Sequence, residues 1–124
     1  MTKRPTRLIP CPAKVVAMVR AALGPLSFTA EAQIQYLIDH RVDADELALQ
    51  LNDVIPFLTE LVQQGNAPKV AADLIRAIDA RFSAMSGSEH ADKWTEEALI
   101  EAVEWAEIRT LARSALQAIA DATP

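Results

Sequence analysis

Glycine, cysteine and histidine are scarce in this 124-residue chain, and each shortage excludes a class of site. Three glycines leave no glycine-rich loop that could cradle phosphate groups. The single cysteine, Cys11, cannot form an internal disulfide, so nothing requires an oxidising compartment. The two histidines, His40 and His90, lie too far apart in sequence to supply the clustered ligands of a zinc site. We therefore expect no metal, no cofactor and no enzymatic activity.

Long hydrophobic runs and aromatic residues are also lacking. No run approaches the ~18 apolar residues that a membrane span needs, so we expect no membrane partner and a cytoplasmic protein. Only 5% of the residues are aromatic, whereas 51% are hydrophobic and 23% charged. This composition is typical of a soluble domain whose core consists mainly of leucine, isoleucine, valine and alanine.

Acidic residues are missing from the first twenty positions and abundant after them. The first twenty residues contain no acid and five cations, which are Lys3, Arg4, Arg7, Lys14 and Arg20. Residues 21–124 hold the other seven cations and all 17 acids, a net charge of −10. A body of this charge does not favour general affinity for nucleic acid or anionic membrane, and we expect direct nucleic-acid binding only through the basic segment, if at all.

Apolar residues recur at helical spacing, which predicts a single all-α bundle of five to six helices over residues 12–124, preceded by a basic, proline-containing arm at 1–11. The first helix should stop at Gly24-Pro25, and Thr29 should cap a second helix that ends near His40. A third helix should break at Asn52-Asp53, and a fifth should span about residues 67–85. The predicted inward stripes consist of Ile34, Leu37 and Ile38 in the second helix and Val70, Leu74, Ile78, Phe82 and Met85 in the fifth.

The last predicted helix is the longest and the broadest in apolar surface. Thr95 should cap it, and it should run without interruption to about Ala120. Its wide apolar face favours a central position in the bundle. The alternative left open is that one flank around Trp105 is exposed and forms a partner surface or the seam of a homodimer.

One segment resembles the helix-turn-helix of bacterial transcription regulators. In residues 44–62, Leu47, Ala48 and Leu51 precede the Asn52-Asp53 turn, and Leu58 and Leu61 follow it. The resemblance implies a DNA-binding regulator, which is the alternative function. Asparagine replaces the glycine usual in that turn, and no Lys or Arg occurs from Asp53 to Gly65, where a reading helix would contact bases and phosphates.

The preferred hypothesis is a small acidic protein that binds another protein and inhibits or regulates it. In general form the chain is similar to antitoxins, immunity proteins and phage inhibitors such as anti-CRISPR proteins. Acidic helix faces can cover a basic functional surface, such as that of a nucleic-acid-processing protein or complex. The candidate partner-binding residues combine acids with two aromatic anchors: Glu89, Asp92, Trp94, Glu96, Glu97, Glu101, Glu104 and Trp105.

Overall fold

The computed structural model describes residues 12–122, with the backbone alone at Pro12, and this part of the chain contains helices but no strand. The all-α prediction is confirmed, although the described residues form seven α-helices rather than five to six. The basic arm at 1–11 and Cys11 lie outside the described residues. The helices are α1 (Pro12–Ser27), α2 (Ala30–His40), α3 (Asp45–Val54), α4 (Leu58–Gln63), α5 (Lys69–Ala84), α6 (Glu96–Glu101) and α7 (Val103–Ala122). Two 3₁₀ segments lie between them, at Ile55–Phe57 and Ser88–Trp94.

The helix α7 occupies the centre of the bundle, as predicted. Its most extensive contacts are with α5 and then with α1, and α1 also packs against α3. Most buried side chains are aliphatic, and the exceptions include Phe82, Met85 and Trp105. The buried alanines let the helices approach closely. On α7 the buried residues follow helical spacing: Trp105, Ile108, Ala112, Ala115 and Ile119.

Hydroxyl caps begin two helices where the sequence predicted them. The Thr29 Oγ1 atom accepts a hydrogen bond from the backbone N–H of Ala32 at 3.2 Å, and Thr95 Oγ1 accepts one from Ala98 at 3.1 Å. Each bond satisfies one of the N–H groups that the first helical turn leaves without a partner. Both caps are confirmed.

The predicted stop at Gly24-Pro25 is wrong, because α1 continues to Ser27 with Pro25 inside it. Leu23 and Leu26 on either side are completely buried, and their burial favours a continued helix. The Ser27 hydroxyl donates to Gly24 O at 2.6 Å and closes the last turn. A proline near a helix end is therefore tolerated where the flanking leucines reach the core.

The predicted turn at Asn52-Asp53 is also absent, because α3 runs through both residues to Val54. The change of direction comes later, at the 3₁₀ segment Ile55–Phe57, and α4 that follows has only six residues. Val54 is buried at 1% exposure, which favours one more helical turn than the polar pair suggested. The segment that resembled a helix-turn-helix therefore has its bend in a different register.

Two predicted inward stripes are only partly correct. Ile38 on α2 and Val70 on α5 are 56% and 55% exposed, whereas Gln33 on α2 is completely buried. Gln33 can occupy the interior because its amide nitrogen and its amide oxygen both form hydrogen bonds. These hydrogen bonds place the Gln33 face of α2 toward the core.

The buried Gln33 amide connects three parts of the fold. Its Nε2 atom donates to Pro25 O and Leu26 O, both at 3.1 Å, at the end of α1. Its Oε1 accepts from Arg109 Nη1 at 2.9 Å, and the same Nη1 donates to Leu99 O at 2.8 Å. Partial burial, first, and the nearby Arg113, second, lower the pKa of Arg109 from its ordinary value.

The expected uninterrupted helix from Thr95 to Ala120 is instead two helices. Ala102 has an extended backbone (φ −77°, ψ 132°) and separates α6 from α7. The break leaves Leu99 O without the N–H that a continuous helix would supply, and Arg109 provides the donor instead. No glycine or proline marks this break in the sequence, so the helical pattern alone could not reveal it.

No single helix within residues 12–122 has the length and apolar character to cross a membrane; Ala13–Ser27 with Ala30–His40 meets that test as a pair by length and composition only, bent by 119° at the break.

We predict that Gln33→Ala lowers the free energy of unfolding by about 2 to 4 kcal/mol, because it leaves a cavity and two carbonyls without donors. The measurement is urea unfolding followed by circular dichroism. Gln35→Ala is the matched control, since Gln35 is exposed on the same helix and donates only to Asp39. An equal loss of stability in both variants would show that the buried amide has no special role.

Candidate partner-binding surface

Trp94 is fixed at the edge of the core by the segment that carries it. Gly87, with φ 105°, turns the chain into the 3₁₀ segment Ser88–Trp94, and a Cβ there would meet the Glu89 carboxylate at 2.7 Å. At the other end of the segment, the indole Nε1 donates to Met85 O at 2.8 Å. The Trp94 ring stacks on Phe82 with centroids 5.8 Å apart, and it remains half-buried.

Trp105, the other expected anchor, is not available to a partner on this folded surface. It is completely buried, and its Nε1 donates to Lys93 O at 2.8 Å. Its ring meets Phe82 and Trp94 edge to face, with centroids 5.6 and 5.7 Å away. The alternative of an exposed flank around Trp105 is therefore wrong, whereas the favoured central position holds: the ring supplies volume to an alanine-rich core.

The expected acidic residues lie mostly in water. Glu89 and Asp92 are exposed on the 3₁₀ segment. Glu96, Glu97 and Glu101 are exposed on α6. Five exposed acids thus lie on the 3₁₀ segment that ends at Trp94 and on the helix that follows it.

Glu104 differs from these acids because it has a cationic partner. Its carboxylate lies 3.2 Å from Lys93 Nζ, and both side chains are 31% exposed. Its own backbone N–H, first, and then the Lys93 ammonium hold the pKa of Glu104 below its ordinary value. The helix break at Ala102 also places it on a different helix from Glu97 and Glu101.

Two open furrows meet at Trp94 and Asp43, and we call them together the Trp94 groove. The larger furrow has a volume of about 520 Å³ and lies between α3 and the 3₁₀ segment. The smaller, of about 240 Å³, lies between α2 and the start of α6. The residues that line the Trp94 groove include Ile38, Val42, Asp43, Asp45, Leu49, Trp94 and Glu96.

Sequence reasoning missed the α3 side of this groove. Leu49 is 53% exposed between the buried Leu47 and Leu51. An apolar residue out of phase with its neighbours was the available signal. Asp43 and Asp45 flank Ala44, which occupies the N-cap position of α3 without a side-chain hydrogen bond.

The described residues include no group of three or more His, Cys, Asp and Glu side chains placed to hold a metal ion. His40 lies against Tyr36, with its Nδ1 2.8 Å from the Tyr36 carbonyl oxygen. His90 lies beside Glu89, 4.0 Å from its carboxylate. What the surface offers chemically is therefore negative charge and one half-exposed indole.

We predict that Trp94→Ala lowers the free energy of unfolding by about 2 to 3 kcal/mol, since the ring packs on Phe82 and Trp105. Trp94→Phe should cost about 1 kcal/mol, because it keeps an aromatic ring and loses the indole hydrogen bond. Urea unfolding of both variants measures the difference. An alanine variant as stable as the wild type would mean that the ring is not packed.

The lowered pKa of Glu104 sets the sign of a pH effect. A carboxylate with a depressed folded-state pKa stabilises the fold above its unfolded pKa, and this contribution is lost as the pH falls through the folded pKa. The stability difference between wild type and Glu104→Gln should therefore shrink as urea unfolding is repeated from neutral pH downward. Lys93→Gln should reduce this pH dependence without abolishing it, because the backbone N–H of Glu104 remains. A difference that grows on acidification would contradict the assignment.

Comparisons with protein-family models, with curated proteins and with solved structures found no significant match to this chain. Its function is therefore inferred from the chemistry of its own surface.

Proposed function

We propose that this chain binds another protein and inhibits or regulates it by covering a basic functional surface. The observation that carries the proposal is a half-buried tryptophan held at the surface among exposed acids. Tryptophan is enriched among the residues that contribute most to binding at protein interfaces. The class of protein proposed is a small phage or bacterial inhibitor of the anti-CRISPR, immunity or antitoxin type, acting in the cytoplasm.

The charge around Trp94 favours a cationic partner. Between Phe82 and Ile108 the sequence has seven acids and a single lysine, Lys93. That lysine pairs with Glu104, and Glu107 pairs with Arg81 at 3.2 Å. The remaining five acids are exposed to solvent, where a cationic partner can reach them.

Such a surface acts in two stages. The acids attract a basic surface over roughly 8 to 10 Å at ordinary salt, which raises the association rate. The Trp94 ring then supplies apolar contact that slows dissociation. Occlusion follows from the bulk of the helical body, and the proposed mechanism requires no catalysis, metal or cofactor.

A nucleic acid is a poor fit for the same surface, because its phosphates carry the charge of the acids. The partner proposed is therefore a protein, such as one that itself processes nucleic acid through a basic groove.

We predict that Glu97→Lys with Glu101→Lys slows association with the partner about tenfold and leaves the melting temperature nearly unchanged, because exposed charges contribute little to stability. The partner is first captured from host or phage-infected cells on the immobilised full chain, and surface kinetics are then measured at several salt concentrations. Asp53→Lys with Asp121→Lys makes the same charge change on α3 and α7 and serves as control. The proposal fails if the two double variants associate at the same rate.

A further inference from the structure

We propose that the Trp94 groove receives a basic peptide segment of the partner that carries one bulky apolar side chain. This inference rests on the proposed function. It places the main contact with the partner between α2, α3 and Trp94 rather than at the acids of α6. It assigns the contact to Asp43, Asp45 and Leu49. The partner-binding residues expected from the sequence do not include these three.

The groove leaves large aliphatic side chains in water on both sides of the indole. Leu49 lines the larger furrow and is 53% exposed, and Ile38 lines the smaller one and is 56% exposed. Trp94 lines both. The larger furrow has a volume of about 520 Å³ and is open to solvent, so it has room for a side chain without enclosing it. An apolar side chain of a partner can therefore contact Leu49 and the indole together.

The charged groups that line the groove are of one sign. Asp43 lines both furrows, Asp45 the larger and Glu96 the smaller. Neither furrow has a lysine, arginine or histidine in its described lining. An apolar occupant without cations would desolvate these carboxylates without forming hydrogen bonds or ion pairs with them, and burying an unpaired charge costs free energy. Lysines or arginines on either side of the apolar anchor would pair with them instead.

Charge also argues against the acidic body of a second copy as the occupant. Residues 21–124 carry a net charge of −10, so two such bodies repel each other. A short basic segment satisfies both the apolar centre and the acidic edges of the groove.

The probe for this inference is a fluorescein-labelled peptide of about twelve residues, with lysines on both sides of one central leucine and glycine and serine elsewhere. Its binding to the full chain is measured by fluorescence anisotropy. We expect saturable binding that weakens as salt rises, and about tenfold weaker binding when the central leucine becomes glycine.

Two variants test the two sides of the site. Leu49→Ser, and separately Asp43→Asn with Asp45→Asn, should each weaken peptide binding about tenfold. Val70→Ser matches Leu49 in exposure but lies on α5 away from the groove, and Asp53→Asn with Asp121→Asn matches the change in charge. Both controls should bind as the wild type does, and thermal unfolding checks that all variants are folded.

A larger loss of peptide affinity in the groove variants than in their controls supports the site. Equal affinity in all of the variants overturns it. The captured partner separates this outcome from the proposed function. If the Glu97 and Glu101 reversal slows the partner while the groove variants do not, the function stands and the groove is not its site. If the groove variants weaken the peptide but no variant affects the captured partner, the groove binds basic peptides and the proposed function is wrong.

Discussion

The hydrogen bonds of Arg109 and Gln33 join parts of the chain that no continuous helix connects. One guanidinium nitrogen, Nη1, serves both the Gln33 amide oxygen and Leu99 O, at 2.9 and 2.8 Å. Gln33 in turn serves the last carbonyls of α1. A neighbouring arginine, Arg113, adds a bond to Ser27 O at 2.9 Å. The C-terminal end of α1 and the break before α7 are thus stabilised by donors from elsewhere in the bundle, because the last carbonyls of a helix have no donor within it.

The sequence was sufficient for the helical class, the two threonine caps and the central position of the last helix. Each of these depends on local signals: hydroxyl residues before apolar periodicity, and a broad apolar face. The break at Ala102 was not predictable in this way, since alanine is the residue that most favours a helix. It depends on a partner ten residues from Leu99 along the chain, which periodicity does not report.

Of the candidate residues named from the sequence, only Trp94 and Glu96 line the Trp94 groove. The acids of the 3₁₀ segment and α6 are exposed as expected, and Trp94 lies among them. The other half of the groove comes from Asp43, Asp45 and Leu49, some fifty residues earlier in the sequence. Only the packing of α3 beside the Trp94 segment brings the two halves together, and no spacing rule within one segment could have joined them.

The two indole N–H groups have a consequence for the entropy of binding. Trp94 Nε1 bonds to Met85 O and Trp105 Nε1 to Lys93 O, so the C-terminal end of the acidic 3₁₀ segment is tied both to the end of α5 and to the core ring of Trp105. When a loop becomes ordered on association, the lost entropy costs about 0.5 to 1.5 kcal/mol of binding free energy for each immobilised side chain. Here the tryptophan ring and the backbone beside it are already held before any partner arrives. The surface is therefore preorganised, and a partner of the proposed kind would lose less contact energy to ordering.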